Sequence, residues 1–158
     1  MFYVQQLLYA FLSTVGFAVI FNSPKDTIIK SGFNGSMGWL AYLMTKTLTN
    51  SPIAGSFAGA LVVGILGEIF AKIFKKPSTT FTISGIIPLV PGAGIYYTML
   101  SLTEKNFLSA ADSGSQTVLV SIALASGIIV SSSFNRAIMN YLNEKHKRKS
   151  IVEIEEEI

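Results

Sequence analysis

The sequence predicts an all-α integral membrane protein of five transmembrane helices, the fourth broken between Pro88 and Gly94. Three observations predict it. The chain of 158 residues is 50% hydrophobic and only 13% charged, against about 25% charged in soluble domains. Residues 4–23 and 79–103 contain no Asp, Glu, Lys or Arg, and such stretches suit a bilayer of about 20 apolar residues' depth. The cations are also sorted. With five spans and the C-terminus in the cytoplasm, Lys25, Lys30, Lys72, Lys75, Lys76, Arg136, Lys145, Lys147, Arg148 and Lys149 lie inside and only Lys46 and Lys105 outside, which is the positive-inside bias. The N-terminus is then outside.

The first segment, 4–21, follows an N-terminus without the positive region of a signal peptide. It reads as a retained membrane helix. The polar stretch "NSPKDTIIKSGFN" reads as a loop. The second segment, 35–49, is short for a span, and its Trp39 and Tyr42 serve as interfacial anchors or as packing groups. The third, 52–74, ends in "AKIFKKPS". The fourth, 79–102, is the broken one, with Ser78 or Thr79 expected as its N-cap. Were it a re-entrant loop, the "KHKRK" tail would move outside, so a full span fits better. The fifth runs over 115–142, and 143–158 form a charged cytoplasmic tail. Together 1–142 make one membrane domain.

Several chemistries have no support. Cysteine is absent, which excludes disulfides and thiolate metal sites. The single histidine, His146, lies in a basic run and reads as solvated. No nucleophile motif is present, so the sequence predicts no enzyme, cofactor or metal. The net charge of +3 concerns topology and the lipid bilayer rather than nucleic acid.

The fourth segment carries the strongest signal. Pro88 and Pro91 lack backbone N–H groups, so the carbonyls of Ser84 and Ile87 lose their helical partners. Ile87 and Val90, each before a proline, are pushed away from helical angles. Gly92 and Gly94 relax the backbone further. A half-helix, an unwound stretch and a second half-helix result, with free N–H groups expected at 92–95. That end suits a carboxylate, and the carbonyls of the first half suit a cation. Broken helices of this kind mark transporter sites; a proline kink that only shapes packing is the alternative.

Glu68 is the acidic residue deep in an apolar segment, where a charge needs a reason. Lys72, four residues on, makes a local ion pair one reason; a coupling or cation-binding carboxylate is the other. Gly55 and Gly59 match the small-xxx-small pattern of closely packed helices, within the chain or between subunits. Ser131, Asn135 and Arg136 lie near the inner end of the fifth segment, where Arg136 serves as an anchor or meets an anionic solute.

"PSTTFTISGIIPLVPGAGIYYTM" resembles the hallmark segment of the threonine/serine exporter family. "NSPKDTIIKSGFNGSMGWLAYL" is similar to the first loop and second span of the small membrane subunit in its split form, and "AGALVVGILGEIFAKIFKKPST" to its third span. The resemblance implies an inner-membrane exporter component for threonine and serine, or for succinate-like dicarboxylates. It implies a small carboxylate-bearing solute and a second, larger membrane subunit as partners. The translocation candidates are Glu68, Ser84, Gly85, Pro88, Pro91, Gly92, Gly94 and Tyr96. Two other classes remain: a non-transporting membrane scaffold, and a channel formed by a homo-oligomer.

Overall fold

The computed structural model describes the backbone of residues 2–156 and the side chains of residues 3–134. The described residues form helices and turns, without a strand: α1 (Phe2–Ile20), α2 (Lys25–Thr49), α3 (Pro52–Phe74), α4 (Ser78–Gly85), α5 (Gly92–Thr103) and α6 (Phe107–Glu156), with a 3₁₀ turn over Ile87–Leu89. The side chains of Asn135, Arg136, His146 and the basic tail lie outside the described residues.

Short turns join antiparallel neighbours. Asn22, Asn50, Lys75 and Lys105 take left-handed angles, with φ of 52° to 58°. At three of these turns the N–H of the residue after the left-handed one returns to a carbonyl five residues back: Ser23 to Ala18 (3.0 Å), Lys76 to Ala71 (3.1 Å) and Asn106 to Ser101 (2.8 Å). That bond closes the orphan carbonyls of a helix end. The third helix has the bounds the sequence predicts. Ser51 accepts from the Ala54 N–H at 3.3 Å, and Pro52 stands where its missing N–H is harmless.

Three sequence-based boundaries are corrected. The second helix begins at Lys25, not Gly35. Its first turn is held by the Pro24 carbonyl, which accepts from the Thr27 N–H at 2.8 Å and from Thr27 Oγ1 at 2.7 Å. The sixth helix begins at Phe107, not Ser115, because Asn106 Oδ1 caps the Ser109 N–H at 3.2 Å. Neither Ser78 nor Thr79 is the N-cap of α4; Pro77 is, without a side-chain bond.

By length and apolar composition α1, α3 and α6 can cross a membrane, and α4 with α5, bent by 49°, can form a fourth crossing. The five-span count is therefore met only in part. At 25 residues α2 is about 37 Å long, but it falls short in apolar composition. Its Thr27, Ser31, Asn34 and Ser36 are buried inside the bundle. Polar residues hidden from lipid cost little when hydrogen-bonded, so this helix reads as polar while its interior position protects it.

Helices α2 and α3 form the central pair; α1 covers α2, α6 covers α3, α4 lies against both, and α5 packs on α6. The small residues act within the chain. A Cβ on Gly59 would lie 2.9 Å from the Gly38 carbonyl oxygen, and one on Gly127 2.7 Å from that of Phe57. The Gly55–Gly59 stripe is thus an α2–α3 contact, the first of the two alternatives. The buried core is Ala60, Val63, Leu89 and Leu124, with Trp39 and Tyr42 packed against it. Phe70, Phe74 and Phe81 cluster near the lysine-rich end with ring centroids 5.7–6.2 Å apart, and Lys30 Nζ lies 3.6 Å from the Phe74 centroid, a cation–π contact.

Candidate functional site

The break has a definite path. Helix α4 ends at Gly85, and Ile87–Leu89 tighten into the 3₁₀ turn. The Leu89 N–H bonds the Ile86 carbonyl at 2.9 Å and the Val90 N–H bonds that of Ile87 at 3.2 Å. Val90 is extended (φ −61°, ψ 129°), as a residue before proline should be. Ile87 is not; it stays in the tight turn, and its carbonyl keeps a partner. Pro91 (φ −78°, ψ 54°) centres an inverse γ-turn, in which Gly92 N–H donates to the Val90 carbonyl at 2.8 Å.

Of the N–H groups expected to be free at 92–95, two are used. Gly92 closes the γ-turn, and the Ile95 N–H donates to the Pro91 carbonyl at 3.2 Å. No side chain caps α5. The N–H groups of Ala93 and Gly94 therefore have no acceptor among the described residues, at the positive end of a helix.

Ala93 and Gly94 line a cavity of about 380 Å³ between the break and helices α2, α3 and α6. Small-molecule pockets run from about 300 to 1,000 Å³. One wall is the break itself, from Pro88 to Gly94. Trp39 and Tyr42 of α2 form another, with Ser56 of α3 beside them, and Tyr97, Gln116 and Thr117 complete it. Among the described residues, no Asp, Glu, Lys or Arg lines it. Trp39 and Tyr42 stack with centroids 4.9 Å apart, and Trp39 Nε1 donates to Gln6 Oε1 at 3.2 Å, so these aromatics are packing and lining groups. Ser56 Oγ donates to the Pro52 carbonyl at 2.8 Å and Thr117 Oγ1 to that of Ser113 at 2.7 Å. With their protons committed, both hydroxyls present lone pairs as acceptors. The site thus offers two backbone donors for a carboxylate and hydroxyl acceptors with aromatic faces for an ammonium group.

The glycines serve different ends from the one their sequence suggests, because no glycine takes a positive φ. Gly92 has nothing within 4 Å of a Cβ position and opens on the cavity. Gly94 lets α5 close on α6, where a Cβ would collide with Thr117 Oγ1.

The structure brings Pro88, Pro91, Gly92 and Gly94 together around this cavity. Ser84 and Gly85 lie on the other side of the break and are buried; Ser84 lines a second cavity of about 210 Å³ with Asn22, Thr79 and Thr80. Tyr96 is exposed and faces away, and its neighbour Tyr97 lines the cavity instead. Glu68 is partly buried on α3, twelve residues from Ser56 and so about 18 Å along the helix. Sequence reasoning missed Ser56, Gln116 and Thr117, small polar residues in unremarkable surroundings. It also missed Asn34, wholly buried on α2, whose signal was an amide within the serine- and glycine-rich stretch "SGFNGSMG".

An apolar helical bundle with a broken helix and a solute-sized cavity at the break has the architecture of a membrane transport protein. Residues 6–134 match the family described as threonine/serine exporter, ThrE. The chain belongs to the threonine/serine exporter family, in agreement with the resemblance of its fourth segment. It is 23% identical over 141 residues to an uncharacterized protein of Haemophilus influenzae, covering 89% of this chain and 48% of that protein. The chain thus spans about half the length of this curated relative. No solved structure matches.

Proposed function

We propose that the chain is the membrane subunit of a secondary exporter for small amino acids such as threonine and serine, or for small succinate-like dicarboxylates. The cavity at the break is the observation that carries this reading. Its size suits such a solute, and the N–H groups of Ala93 and Gly94 suit a carboxylate. In this reading α2 is a fifth span whose polar face is turned inward. The N-terminus is outside, and the lysine-rich end, where Lys76 pairs with Asp26 at 3.5 Å, lies in the cytoplasm of an inner membrane. The solute touches Pro88, Pro91, Gly92 and Gly94, while Glu68, far from the cavity, takes a coupling role.

The chain works with a second, larger membrane subunit of the same family. The greater length of the Haemophilus influenzae relative, about twice the matched portion, supports this pairing. Efflux of labelled threonine, serine and succinate tests it, in cells expressing this chain alone and together with the candidate partner. Export only with both chains is expected. Export by this chain alone would favour the homo-oligomeric channel, and a pair that exports none of the three solutes would favour the scaffold.

A further inference from the structure

We propose that Asn34 is a positioning residue of the transport path, which latches the broken segment as a barrier between the two cavities and offers its Oδ1 to a donor group of the crossing solute. The proposal rests on the transport reading above. Asn34 is 0% exposed. Its Nδ2 donates to the Val63 carbonyl at 3.2 Å and to the Phe81 carbonyl at 3.2 Å. One side chain of α2 thereby ties α3 to α4. Its Oδ1, equally buried, has no hydrogen-bond partner among the described residues. Turning the amide over would set that oxygen against two carbonyl oxygens, so the orphan is not an amide flip. Buried acceptors are rarely left unpaired, and one that is calls for a reason.

The surroundings are pared to admit this amide. A Cβ on Gly85 would lie 2.9 Å from Asn34 Nδ2, and one on Gly67 3.6 Å away. The position along the bundle supplies the reason. Ser84 lines the smaller cavity and Leu89 the larger, so the few residues of the break separate the two. Helix α2 repeats this order. Ser31 reaches the Thr80 carbonyl at 3.5 Å on one side of Asn34, and Trp39 lines the larger cavity on the other. Val63, Phe81 and Leu89, all buried, make the layer between them apolar, and Asn34 places a polar group in it. A solute bearing an ammonium or hydroxyl group sheds water to cross this layer, and Asn34 Oδ1 is an acceptor that replaces part of that hydration.

The absence of cysteine permits a direct test in membranes containing this chain and its partner. Ser84→Cys and Thr14→Cys, both at buried positions, are each placed beside Asn34, Asn34→Leu or Asn34→Ala and treated with a polar methanethiosulfonate reagent. The expected result is a protected Ser84→Cys beside Asn34 and modification faster by about tenfold or more beside either substitution, with Thr14→Cys protected throughout. Unchanged protection at Ser84→Cys, or a parallel rise at Thr14→Cys with both substitutions, overturns the latch. Solute uptake into inside-out vesicles reads the second claim: in Asn34→Ala, KM for the exported solute rises about tenfold, and an unchanged KM overturns it. A wild-type pair that moves no solute refutes the transport function instead, and with it the solute contact, while the thiol result still decides the barrier.

Discussion

Replacing Gly94 by alanine tests whether α5 and α6 touch where the cavity closes. The new Cβ would collide with Thr117 Oγ1 and lie 3.3 Å from Thr117 Cβ and 3.5 Å from its Cγ2. The hydroxyl is not free to swing aside, since it donates to the Ser113 carbonyl at 2.7 Å. Forcing a methyl group into filled space costs typically about 1–3 kcal/mol. The better helix propensity of alanine returns at most about 1 kcal/mol. At Gly92 the same substitution meets nothing within 4 Å and keeps the propensity term alone. Gly94→Ala should therefore be less stable than Gly92→Ala by about 1–3 kcal/mol, the whole of the overpacking term. Unfolding of the purified protein in mixed micelles by titrated SDS measures the difference. Thr117→Ala removes the colliding oxygen, and in that background the cost of Gly94→Ala should shrink by about 1 kcal/mol or more, as expected for residues in contact. Equal stability of the two glycine variants, or a Gly94→Ala cost indifferent to Thr117, would refute the helix contact.

Gly92→Leu should fill the cavity and abolish efflux while leaving membrane insertion intact, whereas Gly92→Ala should export nearly normally; normal export by the leucine variant would remove the break from the solute path. Glu68→Gln should lower the maximal efflux rate with little change in KM, measured with labelled solute, and an unaltered rate would leave Glu68 a structural charge. Trp39→Phe removes the 3.2 Å bond to Gln6 and should lower stability by about 0.5–1.5 kcal/mol in the same SDS titration. Asp26→Asn breaks the pair with Lys76, whose side chains are 35% and 54% exposed. The expected change is below about 1 kcal/mol, and a larger loss would mean that the lysine-rich end is held by charge.

The third helix was legible to the residue because its signals are local: Ser51 and Pro52 open it, and Lys75 turns out of it. Helix α2 was not. Its first ten residues carry two lysines and an aspartate and read as a loop, while the partners that make them helical lie on α3 and α4. The start of α6 was missed for a similar reason, since Asp112 interrupts the apolar run but sits exposed on a continuous helix. Within the site, Pro88, Pro91 and Gly92 announced the break. Tyr96 was preferred to Tyr97, and the two differ only by the turn of about 100° between successive helical residues, which packing against α6 resolves.

Composition, charge sorting and backbone chemistry determined the membrane location, the helical class and the place of the break, because each depends on residue type alone. Two prolines without N–H groups interrupt a helix in any fold. What surrounds the break was a tertiary decision. Trp39, Ser56 and Thr117 are far apart in sequence and meet there through the crossing of α2, α3, α5 and α6. The packing of the bundle also buries Asn34 and leaves Glu68 outside the cavity. No local pattern encodes these outcomes, since each depends on which helix arrives opposite and how closely its glycines let it approach.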